Sequence, residues 1–138
     1  MIHYLLDTNT CIHLIKHRPE SFRVKLSSVP VGEIAISSIV SAELWYGVAF
    51  SVKRKQNEAA LQDFLKYVEV LYWPKEAAPI YGKIRAELRR KGTPIGAMDL
   101  LIAAHVKYLN TILVTDNHKE FARVPGLKIE NWVDREQD

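Results

Sequence analysis

Short apolar runs that stop on a polar or acidic residue, each followed by a helical pattern, limit most strongly what this chain can fold into. Residues 2–6 form such a run and stop at Asp7. Ile34-Ala35-Ile36-Ser37 is a second, and the β-branched run Thr111-Ile112-Leu113-Val114-Thr115 is a third, stopping at Asp116. Runs this short and this apolar suit strands covered on both faces. Between them the spacing turns helical. Thr8 or Asn9 can cap a helix reaching His17, ended by Pro19, and a second short helix is expected over residues 20–26. Pro30 and Gly32 break the chain, and Ser38 is placed to cap the helix carrying Glu43. Within residues 57–70, Leu61, Phe64, Leu65 and Val68 fall at i, i+3, i+4 and i+7, one face of a helix. A short strand over residues 70–73 follows. Ile80, Tyr81, Ile84 and Leu88 repeat the helical spacing, with Pro79 in the first turn and Gly92 closing the end. Residues 100–109 are apolar nearly all round and read as a buried helix, and residues 127–132 as a final edge strand. Strands alternating with helices in this way predict an α/β domain of three layers, α/β/α, with a mainly parallel central sheet.

The 138 residues suit a single domain, expected over residues 1–133 with a frayed tail at 134–138. The one cysteine, Cys11, excludes an intramolecular disulfide and a four-cysteine zinc site, and favours a reducing compartment. No apolar run approaches the roughly 18 residues of a membrane span. A cytoplasmic protein without a membrane partner is therefore expected.

In a parallel sheet, sites form beyond the carboxyl ends of the strands. Asp7 and Asp116 stand at two of those ends, Glu43 lies in the helix after the second strand, and Asp99 opens the buried helix. Each has a plainer role available. Asp7 can be a helix cap and Asp116, beside Asn117, a turn residue. Asp99 sits where a helix dipole favours an acid by up to ~1 kcal/mol. Glu43, among Val40, Leu44 and Trp45, resists that explanation, because an unpaired carboxylate on a half-buried face is costly. Gathered together, such acids stay ionised only beside a cation. An oxygen-only set without a cysteine cluster or histidine pair suits Mg²⁺, with Mn²⁺ as a substitute, rather than zinc.

The charge balance points the same way. The chain has 19 basic and 16 acidic residues, a net charge of +3. With four acids confined to a pocket, the remaining surface is distinctly basic, as an anionic substrate held against a metal requires; a phosphodiester fits. Candidate phosphate contacts are Lys53, Arg54 and Lys55 after the Glu43 helix, and Lys83, Arg85, Arg89, Arg90 and Lys91 on the helix before Asp99. A solvated helix face is the competing reading of each. Histidine is the usual general base near neutral pH, which offers His105 and His118 as alternatives, but His105, on an apolar helix, reads better as a core histidine.

These pieces resemble the PIN-domain ribonucleases, and among them the VapC toxins of bacterial type II VapBC toxin–antitoxin modules. The resemblance is carried by Leu5-Leu6-Asp7-Thr8-Asn9-Thr10, Ser41-Ala42-Glu43-Leu44-Trp45-Tyr46-Gly47, Ile84-Arg85-Ala86-Glu87-Leu88 and Pro94-Ile95-Gly96-Ala97-Met98-Asp99-Leu100-Leu101-Ile102-Ala103-Ala104-His105, and continues through Val114-Thr115-Asp116-Asn117-His118-Lys119-Glu120-Phe121 and Gly126 to Trp132. It implies a PIN-like fold. It also implies that Asp7 and Asp99 ligate Mg²⁺ directly, that Glu43 does so directly or through water, and that Asp116 or Asn117 fills the fourth position. Thr115 and Asn117 support the site on this view, and Asn9 holds the Asp7 loop. Further implications are metal-assisted hydrolysis of RNA, with the anticodon stem-loop of initiator tRNA as a candidate target, a VapB-type antitoxin, a toxin homodimer, and operator DNA bound through the antitoxin.

Three other readings compete. A haloacid-dehalogenase-type phosphatase requires a second Asp where Asn9 stands, and a receiver domain requires a lysine after a late strand where Thr115-Asp116 offers none. A non-catalytic RNA- or partner-binding domain does not explain the intact set Asp7, Glu43 and Asp99.

Overall fold

The computed structural model describes residues 1–17, 24, 25, 27–30 and 32–133. Both the helix expected over residues 20–26 and the tail at 134–138 lie largely or wholly outside them. The elements run β1 (Tyr4–Leu6), α1 (Thr8–His17), β2 (Ile34–Ser37), α2 (Ser38–Phe50), α3 (Arg54–Phe64), β3 (Glu69–Leu71), a 3₁₀ turn (Lys75–Ala77), α4 (Ala78–Arg90), α5 (Ala97–Leu109), β4 (Ile112–Val114), α6 (His118–Phe121) and β5 (Lys128–Glu130). The five strands form one sheet in the order β3-β2-β1-β4-β5. Every pairing is parallel, with Leu5 opposite Ala35 on one side and Leu113 on the other.

This order follows from winding in two directions. The chain steps outward from β1 to β2 to β3, then returns across β1 and steps the other way to β4 and β5. Parallel crossovers are nearly always right-handed, so reversing direction sends the later helices to the opposite face. The result is the expected three-layer α/β/α arrangement. Leu5, Leu6, Ile36, Leu113 and Val114 are fully buried, which is why their strands read as unbroken apolar runs. The reversal point lies between β1 and β4, where a crevice opens at the carboxyl ends of the strands.

Several boundaries depart from expectation for local reasons. Ser37, not Ser38, caps α2: its extended backbone lets the hydroxyl accept from the Ile39 N–H at 3.2 Å. The Ser38 hydroxyl instead accepts from the Trp73 N–H at 3.0 Å, tying the segment after β3 to the start of α2. The helix expected within residues 57–70 starts earlier, at Arg54, and ends at Phe64. Its first turn faces solvent and carries no apolar signal, while Val68 packs on the core from the turn beyond. Helix α5 begins at Ala97, where the Gly96 carbonyl accepts from the Leu100 N–H, so Asp99 falls within its first turn. That helix ends on Asn110 at φ 54°, a left-handed position that asparagine tolerates. Among the described residues, no helix is long and apolar enough to cross a membrane.

Leu113→Ala removes a fully buried side chain from a central strand and is expected to cost about 2–5 kcal/mol, read as a lower midpoint in chemical denaturation. A loss below about 1 kcal/mol contradicts the central position of β4.

Candidate active site

Asp7 is the first residue after β1 and stands at the reversal point, only 3% exposed. Its N–H donates to the Val114 carbonyl at 3.1 Å, stitching the ends of β1 and β4. Its Oδ1 accepts from the Thr10 N–H at 2.9 Å, and its Oδ2 from the Thr115 hydroxyl at 2.6 Å. Asp7 therefore does cap α1, and the cap leaves a lone pair on each oxygen for a further partner. Burial pushes its pKa up; the bonds from Thr115 and Thr10 pull it back, and the nearby charge of Asp116 pushes upward again. Thr115 is itself fully buried and accepts from the Asn117 N–H at 2.9 Å, which fixes the hydroxyl that faces Asp7.

Glu43 reaches the crevice from α2. Its Oε1 accepts from the Thr8 hydroxyl at 2.6 Å, so the residue following Asp7 positions the second acid. Asp99, in the first turn of α5, is the most perturbed of the partly accessible acids, with its pKa pushed up to about 6. Burial is the first cause. A hydrogen bond to Glu120 and the charge of Glu120 come next, then the charges of Asp7 and Glu43.

Glu120 belongs to one of the motifs that carry the resemblance, but the sequence assigns it no role in the site. It lies on α6, and Asn117 Nδ2 donates to its Oε2 at 3.1 Å. The available signal was Asn117-x-x-Glu120 immediately after a strand end, the spacing of a helix-capping pair. Asp116 is half-buried and close enough for its charge to act on Asp7, while Asn117 supports both Thr115 and Glu120. Asn9 is exposed in the first turn of α1; Thr10 and Thr115, rather than Asn9, hold the Asp7 carboxylate.

Asp7, Glu43 and Glu120 thus all lie close enough for their charges to act on Asp99. Among the described residues, no lysine or arginine pairs with any of them. Nor are any three His, Cys, Asp or Glu side chains of the described set drawn around one point tightly enough to hold an ion as they stand. The donor chemistry nevertheless fits a hard cation: the groups are all oxygen, and the charges of Glu120, Asp7 and Glu43 all oppose ionisation of Asp99. A divalent ion held there would offset that repulsion.

The candidate basic residues separate into groups. Arg85 and Arg89, one turn apart on α4, line a cleft of about 320 Å³ with Pro94, Ile95 and Ala97 at the start of the Asp99 helix. Lys83 and Arg90 project from the other side of α4 by helical spacing and are exposed. Lys53 and Arg54 are exposed at the far end of the Glu43 helix. His105 is buried in α5, and burial depresses its pKa to about 4. It is neutral at physiological pH and belongs to the core. Cys11 is likewise fully buried, with its thiol pKa pushed up by burial.

A five-stranded parallel α/β/α domain with acids converging where the winding reverses defines the class of this protein. The PIN domain family matches residues 4–127. The "tRNA(fMet)-specific endonuclease VapC" of Salmonella typhimurium is 43% identical over 132 residues, covering 96% of this chain and 99% of the relative. The "Ribonuclease VapC2" of Rickettsia felis is 46% identical, covering 94% and 97%. The toxin chain in a crystal structure of VapBC2 from Rickettsia felis, bound to a DNA fragment from its promoter, superposes with a TM-score of 0.91, covering 96% of this chain and all of that one. The chain belongs to the PIN-domain family, within its VapC branch.

Glu120→Gln removes one charge acting on Asp99 and is expected to return the Asp99 pKa from about 6 towards its ordinary 3.8, followed by carboxyl NMR. With its pKa raised, folded Asp99 keeps a proton that the unfolded chain releases. Its contribution to stability therefore falls as pH rises from about 4 through 6. The metal-free Gln variant is expected to lose less melting temperature over that range. An unmoved Asp99 midpoint would show that burial alone perturbs it.

Proposed function

We propose that this chain is a Mg²⁺-dependent endoribonuclease, the toxin of a VapBC-type toxin–antitoxin pair. The observation that carries the reading is the buried Asp7 carboxylate at the reversal point of the sheet, held by Thr10 and Thr115, with Glu43 held by the adjacent Thr8 and both close enough for their charges to act on Asp99. Such a group of acids without a basic partner among the described residues is expensive to fold, and holding a cation is a function that would retain it.

A bound Mg²⁺, or Mn²⁺ in its place, would neutralise charge on the attacked phosphate and lower the pKa of water. Asp7 and Asp99 are the proposed direct ligands, with Glu43 completing the set directly or through water and Asp116 beside Asp7. Thr10 and Thr115 orient Asp7, and Thr8 orients Glu43. A cation held there would favour the ionised Asp99 carboxylate, against the burial and the Glu120 charge that raise its pKa. Hydrolysis through water leaves the RNA 2′-hydroxyl unused and gives 5′-phosphate and 3′-hydroxyl ends. Arg85 and Arg89, beside the start of α5, are suited to hold a neighbouring phosphate.

The name of the Salmonella typhimurium relative supports initiator tRNA as substrate, cut in the anticodon stem-loop. The Rickettsia felis complex supports a VapB-type antitoxin that brings the toxin to promoter DNA. A cleft of about 220 Å³ fits part of such a partner: Ile12, Ile15, Leu44, Val48 and Leu61 line it, and Glu43 stands at its border. An apolar segment lying there can extend a basic side chain into the acidic crevice. A toxin homodimer and a cytosolic location complete the reading.

The test is cleavage of total RNA by the protein freed of antitoxin, with and without Mg²⁺, followed by mapping of RNA ends. Cleavage is expected with Mg²⁺ only. Asp7→Asn and Asp99→Asn are each expected to reduce it to background while preserving the circular-dichroism spectrum. Full activity in either variant overturns the ligand assignment. The basic groups separate in a salt titration of RNA binding under EDTA: Arg85→Ala with Arg89→Ala is expected to reduce the salt slope by about two, and Lys83→Ala with Arg90→Ala to change it little. Equal slopes for the two pairs would contradict a special role for the α4 cleft.

A further inference from the structure

Glu43, Tyr46 and Phe50 fall at i, i+3 and i+7 on α2, a single stripe along the helix. At 1.5 Å per residue, Tyr46 lies about 4.5 Å and Phe50 about 10.5 Å beyond Glu43 along the axis. Their rings stack on one another, with centroids 5.9 Å apart and planes within 20°. Both are largely in solvent, Tyr46 67% and Phe50 78% exposed. Immediately past the end of the stripe come Lys53, Arg54 and Lys55, all exposed. A track therefore leaves the acidic crevice, crosses two flat rings and ends on three cations.

We propose that Tyr46 and Phe50 form a stacking platform for unpaired bases of the RNA whose backbone is cut at the acidic crevice, with Lys53, Arg54 and Lys55 holding the phosphates beyond. This deepens the nuclease reading and rests on it. Bases present π-faces of every sequence, and an aromatic pair beside cations is how single strands are bound without reading their edges. In an A-form duplex the base faces are stacked on one another and closed to such rings, so the platform selects looped or single-stranded RNA.

The arrangement favours RNA over protein occupants. An apolar peptide already has the aliphatic cleft on the other flank of Glu43, where Leu44, Gly47 and Val48 point. A second copy docked on the rings would bring two Lys53-Arg54-Lys55 runs towards each other. A polyanion instead gains from the rings and the cations at once.

The experiment measures binding of the full chain to a fluorescein-labelled single-stranded RNA decamer and to the same decamer annealed to its complement, in EDTA so that nothing is cut. Tyr46→Leu with Phe50→Leu keeps apolar bulk on an exposed helix and removes the rings. Single-strand affinity is expected to fall about tenfold or more, with duplex affinity within about twofold of wild type. Tyr46→Phe with Phe50→Tyr keeps the rings and is expected to restore binding. Unchanged single-strand affinity overturns the proposal, as does an equal loss on both RNAs. Sedimentation of the leucine variant provides the remaining check: loss of self-association or of antitoxin binding without loss of RNA affinity assigns the face to a protein partner and overturns it too. Cleavage of total RNA by wild type in Mg²⁺ is scored apart. Absent cleavage with ring-dependent binding retained removes the nuclease reading and still supports the platform.

Discussion

A buried carboxylate must be solvated by the protein or lose its charge, and Asp7 is held by two groups that are distant from each other in the chain. The Thr10 N–H comes from the first turn of α1, and the Thr115 hydroxyl from the end of β4, more than a hundred residues later. Both become available only once β1 and β4 are paired and α1 has started where β1 stops. The same bonds that satisfy Asp7 therefore close the sheet at the point where its winding reverses. Asn117 extends this support by fixing the Thr115 hydroxyl and then reaching Glu120. Helix capping, strand closure and site geometry share one small set of hydrogen bonds.

The acids around that bond oppose the fold that gathers them. Asp99 is raised to about 6, and Asp7 is also raised, because burial and like charges both disfavour ionisation. Strong perturbation in a crevice, with more than one charged neighbour responsible, marks a functional site more often than a structural one. The compensation lies elsewhere: the fully buried side chains of β1, β2 and β4 supply an apolar core that does not depend on the crevice being neutral. Among the described residues, the exposed lysines and arginines offset the charge of these acids without pairing with Asp7, Glu43, Asp99 or Glu120.

Much of this was readable from local pattern. The three apolar runs appear as β1, β2 and β4, and Asp7 and Glu43 lie close enough for their charges to act on Asp99. Less readable were features fixed by only one or two bonds. Ser37 and Ser38 are adjacent and chemically alike, and their separate tasks depend on where Trp73 arrives. Helix α6 spans four residues, too few for a periodic signal, and the pattern alone gave Glu120 no role. The basic residues of α4 looked equivalent in a row, and only their angular positions around the axis separate Arg85 and Arg89 from Lys83 and Arg90.

The order of the amino acids settled the class of fold, because strand burial and helical spacing are short-range properties written into neighbouring residues, and it brought Asp7, Glu43 and Asp99 forward as candidates. It could not say which carboxylates touch, since Asp99 meets Glu120 only after α5, β4 and α6 have folded back across the sheet. Nor could it separate a stripe running from Glu43 to Phe50 from ordinary core packing. Exposure is a property of what the rest of the molecule leaves uncovered, and here the assembled layers left those two rings in solvent.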